Sequence, residues 1–145
     1  MKNLTEHYSD RQYELTAVAD LSYSDLTEDE VTEIFELPAG AIITGISLQV
    51  VTAWNSSTPV LAVGTDDSDP DEYLDDVSLA AEANFPVSTL SADDDTNLFT
   101  GDANLITVPT TIKVLYSAAS GTASAGRAIL TVKYIVLGRG NENQG

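Results

Sequence analysis

Asp67, Asp69 and Asp71 stand at alternate positions in the run Asp66-Asp67-Ser68-Asp69-Pro70-Asp71-Glu72. Calcium takes several hard oxygen ligands at about 2.4 Å, and alternating carboxylates on a loop can supply them. The spacing resembles the opening of an EF-hand loop and then departs from it. Glu72 stands where glycine is needed for the sharp turn, and Ser78 where the bidentate glutamate belongs. A solvated acidic loop accounts for the same residues without a metal, so Asp67, Asp69 and Asp71 are calcium candidates only. The consecutive Asp93, Asp94 and Asp95 do not converge on one ion. His7, Ser9 and Asp10 supply the three residue types of a nucleophilic triad. Triads converge in space, however, and adjacency in sequence is no sign of one. With 23 carboxylates in the chain, pairs at glycosidase separation arise by chance and carry little information. The absence of cysteine excludes disulfides, zinc–thiolate sites and thiol catalysis. No glycine-rich phosphate loop and no nucleophile elbow is present. Trp54, the single tryptophan, precedes Asn55-Ser56-Ser57 and would offer a sugar-stacking platform if exposed. Its place in line with Ile46, Leu48 and Val50 favours burial instead. These residues point to no enzyme and to no cofactor.

The charge distribution restricts partners further. Lys and Arg number 6 against 23 Asp and Glu, for a formal charge of −17. Between Arg11 and Lys113 there is no cation, and that stretch holds every carboxylate except Glu6, Asp10 and Glu142. Such a field repels phosphate, because nucleic-acid binding depends on Lys and Arg displacing counterions. Anionic membrane surfaces are disfavoured by the same sign. A basic or neutral protein surface, a glycan, or a cation remains. The plainest role of the acid is to keep the protein dispersed, including in a salty habitat.

A length of 145 residues suits one domain with a substantial core. The first residues have no apolar stretch of signal-peptide length, and no run approaches a membrane span. Residues 1–12 read as a polar arm, 13–138 as one domain, and 139–145 as a polar tail.

The elements that would position these residues are strands. Leu15, Ala17, Ala19 and Leu21 alternate on one face. Thr27 and Glu30 have capping-box spacing, yet the β-forming Val31, Thr32, Ile34 and Phe35 favour a strand over Val31–Leu37, with a helical turn before it as the alternative. Pro38-Ala39-Gly40 is a turn. Ala41 to Trp54 has period two, with Ile42, Thr44, Ile46, Leu48, Val50, Thr52 and Trp54 expected on one face and a bulge or bend expected at Gly45. Further strands are expected at Pro59–Gly64, at Phe85–Leu90 with Pro86 at the start, and at Thr110–Tyr116. Tyr73 to Leu79 carries a mixed signal. Leu98-Phe99 and Asn104 to Val108 flank a turn at Gly101-Asp102. Ser117 to Gly126 holds only small residues and reads as a mobile connector. Arg127 to Leu137 is apolar on both faces and is expected inside a sheet, next to Ala41–Trp54. About eight strands and no confident long helix predict an all-β, antiparallel sandwich of jelly-roll type.

Three stretches carry a family resemblance. They are Leu37-Pro38-Ala39-Gly40-Ala41-Ile42-Ile43-Thr44-Gly45 with its strand to Asn55, Val63-Gly64-Thr65-Asp66-Asp67 with Asp69 to Asp75, and Ala125-Gly126-Arg127 to Tyr134 with Gly138-Arg139. Together they resemble the jelly-roll capsid decoration, or cement, proteins of tailed bacteriophages. The resemblance covers most of residues 37–139 and rests on structural signatures. It implies a non-enzymatic virion protein on the outer capsid surface, assembled in the host cytoplasm. The implied partners are the major capsid protein and further copies of the chain, as a homodimer or homotrimer. The arm from Lys2 to Arg11, or else the basic-leaning C-terminal strand and tail, is the docking element this suggests, with Lys2, Arg11, Arg127 and Arg139 as the candidate cations. The competing class is a glycan- or receptor-binding jelly roll of tail-fibre or lectin type, assisted by calcium.

Overall fold

The structure is a computed structural model that describes residues 13–87 and 104–137. Eight strands run in the order β1 (Leu15–Ser22), β2 (Val31–Leu37), β3 (Ala41–Thr52), β4 (Val60–Gly64), β5 (Leu74–Ser78), β6 (Ala83–Val87), β7 (Thr110–Ser117) and β8 (Arg127–Val136). One sheet has the order β1-β8-β3-β6 and the other β2-β7-β4-β5, all neighbours antiparallel. First pairs with last, second with seventh, third with sixth and fourth with fifth. The chain is one long hairpin wound back on itself, the jelly-roll arrangement.

The core lies between the two sheets. Leu48, Leu130, Val132 and Ala128 from the first sheet meet Leu61, Val63, Ile112 and Val114 from the second, all fully buried. The alternation seen in β1 and β8 survives intact. Ala128, Leu130 and Val132 are buried, and β8 sits inside its sheet with β3 on one side and β1 on the other. The expected strand at 31–37 is present, preceded by a turn in which the Asp25 carboxylate accepts hydrogen bonds from the Ser22 amide and hydroxyl. The mixed segment 73–79 resolves as β5.

Three expectations require correction. The register of β3 against β8 shifts between Ile43 and Gly45, so one extra residue reverses the phase of the strand. Ala41 and Ile43 point into the core ahead of the bulge, and Ile46, Leu48 and Val50 after it. Ile42 and Thr44 therefore leave the face on which simple alternation places them, and Thr44 is exposed. The strand around Pro86 begins earlier than expected, at Ala83, with Pro86 inside it opposite Ser47. Proline is tolerated there because β6 is an edge strand. The small-residue connector 117–126 is tied down. The Ser57 amide donates to the Ser120 carbonyl, the Ala119 amide to the Ser57 carbonyl, and the Asn55 side chain bonds Ser124 and the Ala125 amide. Residues 98 and 99 lie outside the described residues. The segment after them adds a bridge between Leu105 and Ile42 and buries Ile106.

Candidate functional site

The acidic loop between β4 and β5 folds through its own carboxylates. Asp66 Oδ1 accepts from the amides of Ser68 and Asp69 and from the Ser68 hydroxyl, at 2.8–3.1 Å. Those donors, the Ser68 amide foremost, hold the Asp66 carboxyl below its ordinary value of 3.8. Glu72 Oε2 accepts from the Thr65 amide at 2.7 Å, closing the loop at its base. Pro70 is buried over Gly64, where a Cβ would lie 2.7 Å from the Pro70 carbonyl carbon. The three calcium candidates are thereby separated in role. Asp67 pairs with Lys113 of β7, the Asp69 carbonyl accepts from the Asp71 amide, and the Asp69 side chain is exposed. Among the described residues no three His, Cys, Asp or Glu side chains form a group suited to a metal ion.

Lys113 is buried on the outer side of its sheet, 8% exposed, under this loop. The hydrogen bond to Asp67 raises its pKa above the ordinary 10.5. Nothing in the sequence marked Lys113 for this role except its isolation: it is the first cation after Arg11.

Trp54 is buried, 3% exposed, with its ring tilted at 37° to Tyr116 at a centroid distance of 6.4 Å. Gly126, at φ +150, lies directly against the indole. In this position the ring is core and offers no platform to a sugar.

The docking cations of the sequence reading fall in different places. Arg127 lies at the start of β8 and grips Asp20 of β1 with two bonds, Nε to Oδ1 at 2.9 Å and NH2 to Oδ2 at 2.7 Å. That contact lowers the Asp20 pKa from 3.8. Lys2, Arg11 and Arg139 lie outside the described residues, as do His7, Ser9, Asp10 and Asp93 to Asp95. The fold still fixes where their segments attach. Leu15 is opposite Tyr134, so the start of β1 and the end of β8 share one corner. Tyr13 there is 77% exposed and Leu137 51%. The described residues begin and end at this corner. Beside it an open cleft of about 300 Å³ runs between Glu14, Thr44, Ser47, Pro86 and Lys133, with the Thr44 hydroxyl donating to Glu14 at 2.7 Å.

The two sheets differ in charge. The strands of the β1-β8-β3-β6 sheet carry one carboxylate, Asp20, against Arg127 and Lys133. Those of the β2-β7-β4-β5 sheet carry Glu33, Glu36, Asp75 and Asp76 against Lys113 alone. Most of the remaining described acid lies in the β1–β2 and β4–β5 connections. The first sheet thus presents a nearly neutral face on a strongly anionic protein.

No protein-family model matches the chain, and no curated protein matches it in sequence. Solved structures do match in fold. A chain in the cyanophage Pam1 capsid asymmetric unit superposes with a TM-score of 0.67 at 16% identity, covering 94% of this chain and 94% of that one. A chain in the capsid of Ralstonia phage GP4 gives 0.58 at 16% identity over 94% and 90%. A chain in the acid-stable capsid of Helicobacter pylori bacteriophage KHP30 gives 0.57 at 20% identity over 85% and 87%. The jelly roll described above is therefore a fold found in the capsids of three phages, shared nearly end to end.

Proposed function

We propose that this chain is a non-enzymatic structural protein of a phage virion that binds the outer capsid surface and braces contacts between major capsid protein subunits. One observation carries the reading: the fold is shared along nearly the whole length of both chains with a chain of a phage capsid. A bracing protein needs a stiff two-layer framework, no reaction centre, and contacts that multiply on a lattice. The winding of this chain supplies the first. Docking runs through the corner where β1 begins and β8 ends. The described chain begins and ends there, next in sequence to the segments bearing Lys2 and Arg11 on one side and Arg139 on the other. The acid of the β1–β2 and β4–β5 connections keeps finished particles apart.

The test is occupancy on purified particles. Deleting residues 1–12, or replacing Lys2, Arg11 and Arg139 together by Ala, is expected to lower the copy number per head, measured by quantitative gel or density in a particle reconstruction. Undiminished occupancy would count against the corner as the docking element. Absence of the intact chain from mature particles would count against the role itself.

A further inference from the structure

Four strands form the sheet edges: β1, β6, β2 and β5. An unpaired edge invites another strand, and proteins blunt edges with proline, bulges and charge. β6 contains Pro86. β2 is bulged between Glu33 and Phe35 and carries Glu33 and Glu36. β5 is short, carries Asp75 and Asp76, shifts register against β4, and holds Asp76 at φ 45. β1 has none of these devices. Its eight residues pair with β8 without a break, contain no Pro or Gly, and bear one charge that Arg127 already matches. Among the described residues it is the one edge left open.

The sequence of β1 is also complementary to itself. Antiparallel pairing with a second copy, about a twofold axis through Val18, sets Leu15 opposite Leu21, Thr16 opposite Asp20, Ala17 opposite Ala19, and Val18 opposite its own counterpart. No charge meets its like. Tyr13 and Tyr23 lie just outside the strand at its two ends, Tyr23 in the turn that follows it. Tyr13, Val18 and Tyr23 are 77%, 61% and 41% exposed, three of the six large apolar side chains left at the surface among the described residues. Leu15, Ala17 and Ala19 point inward yet are only half-buried, which an added strand would correct. We propose that β1 pairs with β1 of a second copy, joining two four-stranded sheets into one continuous sheet across a twofold axis. This pairing is independent of whether the chain decorates a capsid. A single strand pair with flanking tyrosines is a small interface, so the dimer is weak and grows with protein concentration. The −17 charge on each copy makes it grow with ionic strength as well.

The chain lacks cysteine, which gives a direct test. Residues facing each other across antiparallel strands have Cα atoms about 4.5–5.5 Å apart, within disulfide reach. Val18→Cys is expected to form an intermolecular disulfide under mild oxidation at least about tenfold faster than Thr16→Cys. The Thr16 pair would be separated by four residues along the strand, about 14 Å. Sedimentation of the full chain at about 0.3 M salt, where screening is strong, should show a concentration-dependent dimer. Val18→Lys should raise its dissociation constant at least about tenfold by setting two ammonium groups face to face. The pairing is overturned if the chain stays monomeric up to millimolar concentration, if Val18→Cys crosslinks no faster than Thr16→Cys, or if the dimer survives Val18→Lys. A dimer that appears only once residues 1–12 are removed would assign the edge to the chain's own arm and overturn it too.

Discussion

Gly126 shows how much one missing methyl group can decide. The residue sits at φ +150, and a Cβ there would lie 2.6 Å from Trp54 Cγ. The clash falls on a buried ring packed beside Tyr116, so any retreat disturbs the core. Gly126→Ala is expected to cost about 2–3 kcal/mol, the overpacking range with added backbone strain. Denaturant unfolding followed by the single tryptophan's fluorescence would measure it, and an unchanged midpoint would mean the indole can move. Tyr73 is another residue whose state follows from its surroundings. Burial, with help from the neighbouring Glu72 charge, pushes its hydroxyl up to about 12. The sequence showed that Trp54 follows a line of core residues. It could not show that a glycine far along the chain makes its seat, because that contact spans the closed sandwich.

Among the elements, the β4–β5 connection behaves as a unit built from acid and backbone. Asp66 binds the amides of Ser68 and Asp69, and its pKa is lowered from 3.8. Asp25, lowered chiefly by the Ser22 amide, does the same work after β1. A lowered carboxylate pKa means the unfolded chain takes up protons first. The contribution is complete above the unfolded value and lost as pH falls through the folded one. Stability should therefore decline below about pH 4, and Asp66→Asn should flatten that decline. Denaturant midpoints between about pH 5 and pH 2.5 would check the slope; an unchanged slope in the variant would show that the loop bonds do not set it. At this scale the sequence was legible wherever alternation ran unbroken, as in β1 and β8. At β3 the bulge expected at Gly45 is present, but the faces were misassigned, because a bulge inside a strand leaves period two intact on both sides while exchanging the faces. The sequence misled at 117–126 as well. Small residues suggested mobility, whereas the hydrogen bonds that hold them come from Asn55 and Ser57, more than sixty residues away along the chain. The acidic alternation at Asp67, Asp69 and Asp71 was visible, but its use in folding the loop was not, since that depends on where Lys113 lands.

For the whole molecule, a charge of −17 acts on everything at once. Raising ionic strength from about 0.01 M to about 0.15 M shortens the screening length from about 30 Å to about 8 Å. Like charges crowded by folding then repel less, so the thermal midpoint is expected to rise. Calcium chloride and sodium chloride at matched ionic strength should raise it equally; a markedly larger rise with calcium would reveal a bound ion after all and favour the glycan-binding alternative. The topology has a further consequence for how the protein is made. β8, an inner strand of the first sheet, lies between β1 and β3, and both of these neighbours are synthesised well before it. Until it emerges, β1 has no partner in its sheet and β3 lacks one of its two. Folding of this sheet must await β8 and proceed slowly through distant contacts. The repulsion spread over the waiting segment then serves as protection, keeping unfinished chains in a crowded cell from seeking that missing strand in one another.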